Sequence, residues 1–131
     1  MPGSDDLSRL IGLRHALHRQ PDLSGAEADT ARAVLEFIAP SHPDAVLTDL
    51  GGDGVALVYD SGAKGPGVLL RAELDALPIA EVAGRAHGSQ RPGRGHLCGH
   101  DGHMAILAGV ALMLILEFDK RAAGFWKGEK A

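Results

Sequence analysis

The residues 96–103, "HLCGHDGH", place three histidines and the chain's only cysteine within eight positions. Thiolate and imidazole are the ligands of zinc and related ions, so metal binding is the first chemistry to consider. Cys98 and His100 lie two apart and would face different sides of one helix, which puts the first of them in a loop or extended turn. Gly99 eases such a turn. An apolar helix follows from about Asp101, and a thiolate near its amino end would gain from the helix dipole. His100 and His103, three apart, share a face if both are helical. Two readings stay open on spacing alone: a metal turn, or a plain buried cysteine in a polar turn. A structural zinc needs about four ligands, and no second zinc-finger pair is present. A Cys–His nucleophilic pair is disfavoured, because an imidazole two residues away is poorly placed to deprotonate that sulfur.

A second candidate stretch is "LLRAELDALP", Leu69 to Pro78. Glu73 and Asp75 stand at the end of an expected buried strand, where open α/β sheets put their sites. Two apart on a strand, they share a face. They could bind a metal or orient a ligand through its second hydrogen bond, or be solvated acids at a strand end. Spacing gives no role to His15, His18, His42 or His87, and Met104 and Met113 fall at core spacing.

These residues need a scaffold. Ser4-Asp5-Asp6 marks a helix start, with acids at the positive end of the dipole. Leu7, Leu10, Ile11 and Leu17 recur at helical spacing, and Pro21 stops the helix. "SGAE", Ser24 to Glu27, reads as a capping box before a second helix that carries Ala28, Ala31, Leu35 and Ile38 and ends before Pro40. "AVLTDL" and "GVALVYD", separated by "GGDG", predict two strands and a tight turn. Val68 to Arg71 predicts a third strand, buried on both faces. Residues 82–95 are Gly- and Arg-rich and read as a loop. Met104 to Leu116 predicts a buried helix packed on that third strand, spanning about 20 Å and so too short for a membrane core of roughly 30 Å. The order predicts an α/β layered domain.

Composition narrows the function classes. The chain has 131 residues, 45% of them apolar, enough for one domain with its own core. Thirteen basic and 17 acidic side chains leave a net charge of −4 and no basic stripe for nucleic acid. A single cysteine forms no internal disulfide and points to a reducing, cytoplasmic setting. The start "MPGSDDLSRL" has neither the basic end nor the apolar block of a signal peptide.

Three stretches in order, "LRHALHRQPDLSGAEADTARAVLEFI", "LLRAELDALPIAE" and "HLCGHDGHMAILAGVALML", resemble the amino-terminal part of the metal-dependent N-acyl-amino-acid amidohydrolases. That family includes hippurate hydrolases, auxin-conjugate hydrolases and related zinc carboxypeptidases. The resemblance covers roughly residues 7 to 117. It implies a partial mixed-sheet, layered α/β metallopeptidase-type catalytic domain over residues 1–117, without the lid or dimerisation domain through which full-length relatives would form homodimers. It implies a pair of divalent ions, zinc, manganese or cobalt, and an N-acyl-amino-acid or peptide substrate. It implies that Cys98 and His100 are metal ligands and that Asp75 orients a ligand from behind. Glu73 stands where the peptidase branch has a ligand histidine and is not a ligand by this resemblance. Asp101 and His103 are assigned to the turn and its surroundings.

In the family, further ligands and a general-base glutamate follow the apolar helix. Here "EFDKRAAGFWKGEKA" follows, and residues 118–131 are expected to pack poorly. The resemblance therefore implies a metal-dependent amidohydrolase whose front part, as this chain, is inactive. The competing readings are a non-catalytic remnant that binds metal or a partner, and a surface-binding module built on the last helix.

Overall fold

The computed structural model describes residues 3–122, with side chains through residue 115. Helix α1, Ser4–Arg19, starts where the acids predicted. The carboxylate of Asp6 accepts from the backbone N–H of Gly3 at 3.1 Å and closes the first turn. Leu13 and Leu17 are buried, whereas Leu7 and Ile11 of the predicted stripe remain exposed. The stripe was drawn too wide, since only the face toward the other helices is covered.

Helix α2, Ala28–Ile38, buries Thr30, Ala31, Val34 and Ile38. Ala28 is exposed and Leu35 half-buried. The predicted capping box does not form. Ser24 is exposed, and the first-turn amides are served from elsewhere. Asp53 accepts from the Glu27 amide at 2.8 Å, and buried Asp22 accepts from the Thr30 amide at 2.9 Å and its hydroxyl at 2.8 Å. A side chain brought in by the fold outcompetes the local one because it is already desolvated and fixed.

After a 3-10 turn, Ala39–Ser41, come β1, Ala45–Leu47, and β2, Ala56–Val58. They pair antiparallel, with Ala45 opposite Val58 and Leu47 opposite Ala56. The glycine turn is required: Gly51 and Gly52 have φ of 69° and 120°, and a Cβ on Gly54 would lie 2.4 Å from the Leu50 carbonyl oxygen.

The third strand is absent. Residues 68–71 are in neither helix nor strand, and Val68 and Leu69 are 86% and 87% exposed. A strand buried on both faces needs neighbours on both edges and both faces, and the described residues supply only the β1–β2 hairpin.

Helix α3, His100–Ala122, begins inside the histidine motif. Met104, Ala105, Ala108 and Ala111 are buried, but Ile106 is 68% exposed and Met113 and Leu114 are also exposed. The helix packs on α1 and α2, while residues 68–71 are exposed. The prediction of a buried helix packed on a third strand is thus corrected to a half-buried helix packed on α1 and α2. Leu13, Leu17, Val34, Ile38, Met104, Ala108 and Ala111 form the core, with Leu57, Tyr59, Ala72 and Leu74 at its edge. The result is an α/β unit with a helical layer beside a small antiparallel sheet. Among the described residues no helix is long and apolar enough to cross a membrane. Residues 123–131, most of the expected loosely packed tail, lie outside the described residues.

Candidate metal centre

Two short pairings bring the acidic stretch to the histidine motif. Leu77 and Gly95 exchange backbone hydrogen bonds at 3.0 Å in each direction. The Ala76 amide donates to the Asp22 carbonyl at 2.7 Å and anchors the same stretch to the connection between α1 and α2. The chain then turns at Gly99, whose φ of 80° favours a residue without a side chain, and enters α3 at His100.

His100 faces Asp75. Its Nδ1 lies 2.8 Å from the Asp75 carbonyl oxygen and 3.1 Å from Oδ1. An imidazole held through Nδ1 by acceptors presents Nε2 as its free ligand nitrogen. One turn along, His103 Nδ1 lies 3.2 Å from Glu73 Oε2. That hydrogen bond, then the backbone bond at Glu73, holds the Glu73 carboxyl below its ordinary range. Among the described residues, Glu73, His100 and His103 form the group able to hold a metal, with ligand atoms all within 4.8 Å of one another. Cys98 is exposed and outside that group. The structure therefore joins His100 to Asp75, and also to Glu73 and His103, which the family resemblance did not make ligands.

Behind this turn lies a network that spacing did not reveal. His18, 2% exposed, places Nδ1 2.8 Å from Asp101 Oδ2 and Nε2 2.7 Å from Glu81 Oε1. A neutral imidazole has one N–H, so two carboxylate partners demand the doubly protonated ring. Burial disfavours that charge, but the hydrogen bonds to Glu81 and Asp101 and their negative charges outweigh burial and raise the His18 pKa. Glu81 is held below its ordinary range by His18 and by the Ser89 amide, which donates at 2.6 Å. Arg14 Nε donates to Asp101 at 3.2 Å. His87 stacks on His15 at 4.1 Å and meets His18 edge-on at 5.2 Å. His96 is buried, which pushes its pKa down, and neither of its ring nitrogens finds a hydrogen-bond partner among the described residues. The network ties α1 to the residue after His100 and to the segment after "ELDALP".

Comparison with known proteins shows what this chain is similar to. No family model matches the chain. It is 37% identical over 110 residues to an N-acetyl-L-cysteine deacetylase of Bacillus subtilis, covering 81% of this chain and 25% of that protein. It is 41% identical over 102 residues to an N-acetyldiaminopimelate deacetylase of Halalkalibacterium halodurans, covering 77% of this chain and 27% of that protein. Among solved structures, the Bacillus subtilis YXEP protein, a dinuclear metal-binding peptidase of the M20 family, superposes with a TM-score of 0.82 at 31% identity. That match covers 88% of this chain and 32% of the peptidase. The chain's homologues are thus amidohydrolases and deacetylases, as the three motifs predicted, and it spans about a quarter of the length of the curated relatives it matches.

Proposed function

We propose that residues 1–117 are the amino-terminal part of a metal-dependent amidohydrolase domain acting on N-acyl or related amide bonds of amino acids or peptides, in the cytoplasm. The observation that supports this best is the His100–Asp75 contact, in a chain 37% identical over 110 residues to an N-acetyl-L-cysteine deacetylase. In this reading Asp75 fixes the His100 ring, and His100 and Cys98 are ligands of a divalent ion, zinc, manganese or cobalt. The donor types fit such an ion: imidazole nitrogen, thiolate and carboxylate. A bound ion would supply Lewis acidity toward an amide carbonyl. The protein's own part is to hold the ring, through Asp75, and to hold the turn, through the pairing of Leu77 with Gly95.

A two-metal hydrolase needs more ligands than these and a general base, which alone contributes about 10²- to 10⁴-fold. The 131-residue chain is therefore expected to show no metal-dependent cleavage of N-acyl amino acids. The decisive test is a chimera in which this chain's matched segment replaces its counterpart in the Bacillus subtilis N-acetyl-L-cysteine deacetylase. Metal-dependent deacetylation that disappears on His100→Ala supports the reading. A folded, metal-loaded chimera without activity would overturn it.

A further inference from the structure

We propose that this chain by itself holds one divalent cation through Glu73, His100 and His103, without the Cys98 thiolate. The proposal rests on the amidohydrolase reading only for the choice of metal. Its observations are the positions of the three side chains.

His100 is the fixed member. With Nδ1 on Asp75, its ring orientation is set before any ion arrives, and Nε2 is the nitrogen that remains to bind. His103 follows three residues later in α3, so both imidazoles leave one face of the first turn, their ring centres 5.7 Å apart. Glu73 enters from the opposing segment and already touches His103. Ligand atoms of all three lie within 4.8 Å of one another. Around one zinc at about 2.0–2.2 Å, tetrahedral donors stand roughly 3.4 Å apart, so closing the site needs the donors to make movements toward one another. The side chains of His103 and Glu73 are 55% and 33% exposed and have the room to make them. Two imidazoles and one carboxylate, with a fourth position open to water, form one of the recurrent zinc donor sets.

Cys98 stands apart for a geometric reason. It precedes Gly99, whose left-handed turn separates it from the helix that carries both histidines, and it is exposed and outside the group. The family resemblance, which implies Cys98 beside His100 as a ligand, and the arrangement of the folded chain thus name different partners for His100.

The experiment is a cobalt(II) and zinc titration of the full chain, followed by absorption spectroscopy and calorimetry. The expected result is one ion per chain, with cobalt showing the visible bands of a low-coordinate site and no thiolate-to-cobalt charge-transfer band. His103→Ala and Glu73→Gln should each weaken binding about tenfold or more, while Cys98→Ser should change it by less than about twofold. Circular dichroism of the three variants checks that each remains folded. A charge-transfer band lost on Cys98→Ser, unchanged affinity in His103→Ala, or no binding by the parent chain would each overturn the proposal. None of these results bears on the chimera test, in which the missing ligands come from the deacetylase, so the two readings fail separately.

Discussion

At the scale of single residues, His18 carries the most consequence for stability. It stands between two buried carboxylates, and its charge is what lets both remain ionised. Removing one member of such a group leaves the others buried and unpaired, at a cost of about 3–5 kcal/mol. Arg14, beside Asp101, relieves part of this, so His18→Ala should lower unfolding free energy by about 3 kcal/mol, measured by urea denaturation. The pH dependence has a definite sign. The folded pKa of His18 is raised from 6.5, so its contribution is complete below pH 6.5 and is lost as pH rises through the raised value. Glu81 is lowered from 4.5, so its contribution is complete above pH 4.5 and is lost as pH falls through the lowered value. Stability from this pair should therefore be greatest between pH 4.5 and 6.5. The alkaline decline should flatten in His18→Gln, and an unchanged slope in that variant would contradict the charge assignment. Nothing local in the sequence pointed to His18, because its partners Glu81 and Asp101 are 63 and 83 residues away.

At the scale of elements, what the sequence made legible was whatever local chemistry decides. The start of α1 at Ser4 with Asp5 and Asp6 following, its end before Pro21, and the glycine-linked hairpin all follow from residues within a few positions. The acid–histidine convergence was partly legible, since the motif singled out His100 and Asp75, but the partners of His100 depended on how α3 met the segment before it. The entry to α2 shows the limit most directly. "SGAE" has the pattern of a capping box, yet the first-turn amide and hydroxyl of Thr30 are served by Asp22, eight residues earlier. Two variants separate these readings. Asp22→Ala should cost about 2 kcal/mol, because a buried charged acceptor of two hydrogen bonds is lost and Arg91 is left beside it. Ser24→Ala should change stability by less than about 0.5 kcal/mol. A larger loss from Ser24→Ala than from Asp22→Ala, in thermal melts of both, would restore the capping box.

At the scale of the whole molecule, the missing third strand and the bare face of α3 have one cause. Residues 68–71 have the Val- and Leu-rich composition of a strand buried on both faces, and Ile106 sits on a helix whose sequence is apolar nearly all round. Such sequences are matched to neighbours, and the Bacillus subtilis N-acetyl-L-cysteine deacetylase is about four times as long as the segment it shares with this chain. Where the neighbours are absent among the described residues, apolar side chains face water: Val68, Leu69 and Leu70 in a row, with Ile106 on the helix. A short uncharged run of this kind is a template for strand pairing between molecules. The 131-residue chain should accordingly self-associate at micromolar concentration, and Leu69→Lys should reduce that association in sedimentation velocity. Because Leu69 is 87% exposed, the same substitution should leave the unfolding midpoint nearly unchanged. Met104→Ala provides the contrast. Its side chain is 2% exposed in the middle of the core, so the substitution should cost about 2–5 kcal/mol. If Leu69→Lys instead destabilised the chain as much as Met104→Ala does, residues 68–71 would have to be packed in solution, and the strand predicted from their composition would have found its partner.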